Sequence, residues 1–552
     1  MSYYARLNMP ISLASGFGTA DWLIIGIYLL VLLASGIYFA RREPAGSDEY
    51  FLAGRRMPTW AVAFSIVAST LSVATFVGVP EQTFKDGGNL TYLSTNIGGL
   101  IAIFVVAYFF IPAYFKYNVT TVYELLERRF GRGAKEAASA TFMLGRVFAS
   151  GARVYIGAIP IATLLFGIEN ALSPPHLIGA IAVLSAVAIL YTLVGGIASV
   201  IWTDVLQTIV LLGAITAGIV LMYNRIPAPL GEIVQTLHTQ PGGSKFTVLN
   251  WGFPFDPSQQ FTLLTAVLGW SLLNLAAYGT DHDMAQRMLT CKNAVSGGRS
   301  AIAAICMGIP IVAMFLLVGL LLFVIYKVPE LMGSAVPAVL PETNDKALLT
   351  FIINEFPTGL SGLMVAGLFA VALGSLNSAI NAMAATFVKD FYIPYNRAKP
   401  ESHYLAVSRW AVAGWGVILG VFGVVCIYWK RSNPDTTLLD FALGVMTFCY
   451  SGLLAVFLTA MFTRRGNTAS AIAALITGFV VVVAFQPIVY QAFAPLIPGA
   501  PATGHTVATL KEQLPHLRLA YPWHMLIGTS IAMIVCLAGK PKASAASRPA
   551  AA

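Results

Sequence analysis

Thirteen long apolar runs divide the chain, at residues 21–40, 58–84, 90–115, 137–167, 174–194, 198–223, 260–287, 299–326, 359–388, 405–428, 438–462, 467–487 and 521–538. Each has roughly the length an α-helix needs to cross the hydrocarbon core of a bilayer. The pattern predicts an all-α polytopic membrane protein with about 13 transmembrane helices. Four runs are interrupted by polar residues. The second, SIVASTLSVATFVGV, gathers Ser65, Ser69, Thr70, Ser72 and Thr75 at a helix centre, with Gly78 and Pro80 beyond. The seventh, WSLLNLAAYGTDHDMAQR, places Asn274, Gly279, Thr280, Asp281, His282 and Asp283 close together. The sixth follows a tight turn at Gly195-Gly196 and carries Trp202, Thr203, Asp204 and Gln207. The ninth sets Ser375 and Ser378 three apart, on one helix face, with Asn377 beside them.

Each polar cluster has a structural and a functional reading. Ser and Thr in membrane helices commonly bond back to the preceding turn. The small residues Gly367, Ala370, Ala372 and Gly374 let helices approach closely without any ligand role. Two broken spans five apart, however, are the sequence pointer to an inverted-repeat transporter with a site at the bilayer midplane. Spans two to six and seven to eleven would be the repeats. A hard cation such as Na⁺ needs several oxygen ligands, and hydroxyls facing the open carbonyls of a broken helix could supply them. A carboxylate within a span, such as Asp204, is costly and points to function.

Composition and charge narrow the class. The chain is 57% hydrophobic and only 10% charged, where a soluble domain carries about 25% charged residues. The net charge of +9 is therefore a report on topology and not a nucleic-acid signature. With the N-terminus outside, 21 of the 33 Lys and Arg fall on the inner side, ten on the outer, and Arg146 and Arg153 lie within the fourth span. The positive-inside rule thus predicts an outer N-terminus and a cytoplasmic C-terminus in the cell membrane. No cleavable signal peptide and no appended soluble domain are apparent, and the tail 539–552 reads as disordered. The five scattered cysteines match no metal spacing or disulfide framework. No nucleotide-binding loop, nucleophile elbow or metal box stands out, so an enzyme is not expected.

These residues carry a family resemblance. YTLVGGIASVIWTDVLQ resembles the YTxxGGxxAVxWTDxxQ stretch of the sodium/solute symporter family, which includes sodium-coupled sugar, proline, pantothenate, sialic acid and iodide transporters. EYFLAGRRMPTWAVAFSIVAS, NVTTVYELLERRFG, NLAAYGTDHDMAQRMLTCK and SLNSAINAMAATFVKDFY are similar to further family stretches, in the expected order from about residue 50 to residue 392. The resemblance implies a five-plus-five inverted repeat with a leucine-transporter-type core and inward sodium-coupled uptake. The expected organisation is 1–57 for the outer N-terminus, first helix and inner loop, 58–223 for the first repeat, 224–259 for an outer loop, 260–462 for the second repeat, and 463–538 for two peripheral helices.

By the same resemblance, the carbonyls of Ala68, Leu71 and Val371 and the hydroxyl of Ser375 would hold Na⁺, the coupling ion and the only metal expected. The family usually carries a second hydroxyl before Ser375; here it is Gly374. A second ion position, or an exit position, would involve Asp204, Asn377 and Ser378. The sugar-stacking Tyr, sugar-contacting Gln and following Lys of the family's sugar carriers are matched by Ala277, Thr75 and Gly308, which argues against a typical pyranose substrate.

SGARVY resembles the GARLF stretch of the proline and pantothenate branches. Arg153, about sixteen residues from either end of its span, reads first as a buried structural pair with a carboxylate of a neighbouring helix and second as a ligand for a carboxylate-bearing solute. Arg146, nearer the inside, reads as snorkelling or capping, and Asp281 and Asp283 as local partners of Arg287. Thr75, Asn274 and Arg153 form the expected substrate set. The expected partners are a small-molecule solute and the bilayer. Alternatives are a proton-coupled carrier of the same fold using Asp204, and a transporter-like substrate sensor, against which the lack of an output domain weighs.

Overall fold

The computed structural model describes residues 18–40, 46–167, 170–431, 438–486 and 518–540. The expected outer segment 1–17, most of the loop 488–520 and the tail after residue 540 lie outside the described residues. A helix falls on each of the thirteen apolar runs, and among the described residues there is no strand. Among the described residues, nine helices are individually long and apolar enough to cross a membrane, and a bent pair makes a tenth. Thr19–Ser35, Pro174–Leu190 and Thr468–Val483 are shorter apolar helices.

The helices that position the site are α1 (Thr19–Ala40), the bent pair α2 (Thr59–Thr70) and α3 (Val73–Phe84), α4 (Leu90–Lys116), α5 (Glu124–Phe130), α6 (Arg132–Phe166) and α7 (Pro174–Arg225). After them come α8 (Leu263–Thr280), α9 (His282–Leu289), α10 (Ala294–Lys327), α11 (Leu360–Tyr395), α12 (Glu401–Arg431) and α13 (Leu438–Phe462), then α14 (Thr468–Val483) and α15 (Tyr521–Ala538). α11 lies along α7, and α10 along α3; α13, α14 and α15 pack together and lean on α6 through α13 and α14.

Both expected helix breaks are present. α2 and α3 meet at 66°. Leu71 (φ −74°, ψ 130°) and Ser72 (φ −132°, ψ 170°) are extended there. The Ser72 N–H turns to Thr75 Oγ1 at 3.3 Å instead of closing on Ala68. Consequently the carbonyls of Ala68, Ser69, Thr70 and Leu71 accept no hydrogen bond among the described residues. The second break follows a π-turn at Ala276–Thr280, where Asp281 is extended (φ −82°, ψ 121°) and its carboxylate caps α9 through the Asp283 N–H at 2.9 Å. Here two of the freed carbonyls have partners: Tyr114 Oη donates to Gly279 and Tyr123 Oη to Thr280, the latter at 3.1 Å. A buried open carbonyl is costly outside water, and the two tyrosine hydroxyls offset part of that cost at the second break.

α7 reverses within one element at Gly196, whose φ of 57° and ψ of −173° suit only glycine. A Cβ there would lie 2.8 Å from the Tyr50 carbonyl oxygen. Gly196→Ala is expected to cost about 2 kcal/mol or more from the backbone conformation alone. A lowered thermal midpoint of the detergent-solubilised protein checks it; an unchanged midpoint would show that the turn relaxes.

Two caps were not foreseen. Asp21 of α1 is buried and accepts the Gly359 and Gly362 N–H groups at 2.8 and 2.6 Å, capping the N-terminal end of α11. Lys245 of the 224–259 loop donates to the Thr83 and Lys85 carbonyls at 2.9 and 2.8 Å, closing the C-terminal end of α3.

Candidate functional site

Between the two breaks lies a cavity of about 180 Å³. Ser69, Leu71 and Thr75 line it from α2 and α3, and Asn274, Ala277 and Tyr278 from α8. Arg153 of α6 and Met446 of α13 close another side, and Tyr92 and Trp270 stand edge-to-face at 6.3 Å. Thr75, Asn274 and Arg153, chosen from sequence far apart, thus meet in one cavity. So do Ala277 and Gly308, whose small side chains leave it without the ring and ammonium expected of a sugar site. Asn274 Nδ2 is bonded to the Trp270 carbonyl at 2.8 Å, which leaves its amide oxygen as the acceptor turned elsewhere.

The two arginines of α6 exchange the roles read for them. Arg146, expected to snorkel or cap, is buried at 2% exposure and bridges Asp281 at 2.7 Å and Asp283 at 3.0 Å. Arg153, read first as the buried pair, has no carboxylate within 4.0 Å among the described residues; its Nη2 lies 3.5 Å from Met446 Sδ. The correction has a physical reason. Seven residues is two helical turns, so both arginines share a face, but only Arg146 reaches the level of the α8–α9 break, where two carboxylates need a cation.

The pairing of Asp281 with Arg287 is corrected likewise. Arg287 holds Asp283 at 2.5 Å, whereas Asp281 belongs to Arg146 and takes the Tyr450 hydroxyl. Arg287 also reaches Asp204 at 3.3 Å, Ser65 Oγ at 2.9 Å and the Ser378 hydroxyl. Ser65 donates to Asp204 at 2.6 Å. A chain of buried charges therefore runs Arg146, Asp281 and Asp283, Arg287, Asp204, linking α6, α9 and α7. Asp204 and Ser378, expected around a second ion, both grip a guanidinium that already supplies the positive charge. Asn377 Oδ1 is buried without a hydrogen-bond partner among the described residues.

The sequence profile of the sodium:solute symporter family matches residues 50–478. The chain belongs to that family. It is 30% identical over 485 residues to the sodium/sialic acid symporter NanT of Aliivibrio fischeri (strain ATCC 700601 / ES114), covering 85% of this chain and 88% of that one. It is 27% identical over 472 residues to the human sodium-coupled monocarboxylate transporter 1, covering 84% and 73%. A solved Na⁺-coupled sialic acid symporter in a substrate-bound outward-open state shares the fold, with a TM-score of 0.75 at 24% identity over 95% of this chain and 99% of that one. The leucine-transporter-type architecture implied by the family resemblance is therefore the architecture of this symporter.

The sodium set expected for the symporter has the following geometry. Ala68 and Leu71 present open carbonyls at the α2–α3 break. Ser375 Oγ lies 3.3 Å from the Ala372 carbonyl of its own helix. Ser69 and Ser378 hydroxyls stand 3.3 Å apart, so the break faces α11 across a single hydroxyl contact. At Gly374, where the family resemblance implies a hydroxyl, a Cβ would lie 2.6 Å from Gln207 Oε1. The Gln207 amide fills that space, is 2% exposed, and has neither atom hydrogen-bonded among the described residues. Gln207 was visible in the WTDVLQ motif, but its position against Gly374 was not. Tyr450, Tyr92 and Ser65 were also missed as site residues; only Ser65 had a signal, as part of the Ser/Thr cluster of the second run.

Proposed function

We propose that this symporter imports a small carboxylate-bearing solute, with the carboxylate held by Arg153 in the cavity between the two breaks. As a family member it is a sodium-coupled solute carrier. The observation that carries the carboxylate reading is the free guanidinium. Arg153 is the arginine of α6 left without an acidic partner within 4.0 Å among the described residues, and it lines the cavity. A guanidinium offers a planar fork suited to two carboxylate oxygens. Thr75 and Asn274 would take the remaining polar groups of the solute.

Na⁺ would bind at the open carbonyls of Ala68 and Leu71, joined by the Val371 carbonyl and the Ser375 hydroxyl, with the Gln207 amide oxygen in the place of the hydroxyl missing at Gly374. Orientation follows the charge count, N-terminus outside and C-terminus cytoplasmic, with repeats at 58–223 and 260–462 and peripheral helices beyond. Rocking of one bundle against the other would expose ion and solute alternately to each side. The driving force suffices: one charge crossing 100 mV supplies about 2.3 kcal/mol. A tenfold ion gradient adds about 1.4 kcal/mol, so one ion supports accumulation of several-hundredfold.

Uptake into proteoliposomes under an imposed Na⁺ gradient tests the reading. A Na⁺-dependent flux of carboxylate solutes is expected; flux indifferent to Na⁺ and driven by pH would replace it with proton coupling. Ser375→Ala is expected to raise the half-saturating Na⁺ concentration about fivefold, the equivalent of roughly 1 kcal/mol for one lost ligand oxygen. An unchanged value would remove Ser375 from the ion site.

A further inference from the structure

A second cavity, of about 380 Å³, opens far from the solute site, between the C-terminal end of α4, the helix α5 and the C-terminal end of α13. Its chemistry is divided. At the mouth, Phe109 and Phe462 meet edge-to-face at 5.5 Å, and both rings are about half exposed on the flank of apolar spans. The same lining carries the exposed Lys116 and Arg128 and the partly exposed Arg129. None of these three cations has a carboxylate within 4.0 Å among the described residues. The acidic residues of α5 are engaged elsewhere: Glu127 pairs with Lys135 at 2.5 Å, and Glu124 accepts the Thr120 and Thr121 N–H groups.

The existing contacts of the cations leave donors spare. Arg128 gives one hydrogen bond to the Tyr117 carbonyl at 3.2 Å and lies over that ring. Arg129 donates to the Thr463 and Arg465 carbonyls at 3.3 and 3.1 Å. A guanidinium carries five N–H donors, so both arginines retain unused ones. Those carbonyl bonds cap helix ends and would persist in a purely structural role. A purely structural role explains neither the convergence of three unpaired cations on one cavity nor the aromatic mouth.

We infer that this cavity binds one anionic phospholipid, its phosphate against Lys116, Arg128 and Arg129 and its acyl chains along Phe109 and Phe462. Charge complementarity selects the headgroup, and continuity of the mouth with the lipid-facing surface selects a lipid over a soluble anion. Basic pockets between membrane helices recognise anionic headgroups in this way. On the proposed orientation the site faces the cytoplasmic leaflet. The lipid would tie α4, α5 and α13 together at the inner end of the bundle.

Native mass spectrometry of the full chain, with phosphatidylglycerol or phosphatidylcholine added to the detergent, tests this. One phosphatidylglycerol should be retained over phosphatidylcholine by about tenfold or more. Lys116→Gln/Arg128→Gln/Arg129→Gln should abolish that preference, and Phe109→Ala/Phe462→Ala should weaken retention. Equal retention of the two lipids, or an unchanged preference in the triple variant, overturns the proposal. Displacement of the lipid by inorganic phosphate at equal concentration would mark a free-anion site and also overturns it. Should the triple variant fail to fold, photoreactive phosphatidylglycerol on the unaltered protein decides. Crosslinks on the segments holding Phe109 or Phe462 support the site, and crosslinks confined to other segments overturn it.

Discussion

Arg153→Gln is expected to reduce carboxylate uptake by about thirtyfold, because truncating one partner of a desolvated charge pair costs roughly 2 kcal/mol or more. Arg153 is mostly buried but lines an open cavity that water can enter, which places the effect at the low end of that range. Arg153→Lys should recover part of the loss. It keeps the charge but replaces the planar fork with a point ammonium, so a residual deficit of roughly tenfold is expected. Both effects should appear as a raised half-saturating solute concentration with little change in the Na⁺ response. Transport of neutral solutes, where detectable, should be nearly unaffected. Equal loss for charged and neutral solutes would show that Arg153 supports the α6–α13 contact through Met446 and does not bind substrate.

Arg146→Met is expected to destabilise the fold by about 3–5 kcal/mol, the cost of leaving buried carboxylates without their cation. Asp281 would lose its guanidinium and keep two neutral donors, the Tyr450 hydroxyl and the Asp283 N–H, whereas Asp283 would still hold Arg287 at 2.5 Å. The asymmetry makes a rescue possible. Adding Asp281→Asn removes the stranded charge, and the double variant should recover much of the lost stability, because replacing both members of a buried pair is often near neutral. Thermal unfolding of the purified variants in detergent measures both. A loss under about 1 kcal/mol for Arg146→Met would mean that water reaches Asp281 and that the chain of charges is not dry.

The chain of charges also changes what Asp204 is. From sequence it is an isolated carboxylate in a span, and an ion-handling role follows from its cost. In the structure Arg287 and Ser65 hold it at 3.3 and 2.6 Å, and the same guanidinium holds Ser378. Asp204 is thus held as a partner of the α9 arginine, beside the ion site we propose. Gln207, one turn further along α7, is the residue that turns an unsatisfied amide towards Gly374.

Much of the architecture was legible because it is written in local patterns. An apolar run of 20 residues can only cross a bilayer as a helix, and Ser, Thr, Gly and Asp clustered within such a run mark where the helix opens. Both breaks, the Gly196 turn, and the family follow from residues within a few positions of one another. The meeting of Thr75, Asn274 and Arg153 was legible only through family resemblance, since they come from three different spans.

Sequence alone determined that this is a helical membrane carrier and where its two helices break. Only the tertiary structure decided which arginine of α6 is free. Arg146 and Arg153 differ by two turns of one helix, and nothing nearby distinguishes them. Their partners lie 135 residues away in the chain, on a helix whose depth is set by packing. The carboxylates of Asp281 and Asp283 stop at the level of Arg146, and so Arg153 is left facing the cavity.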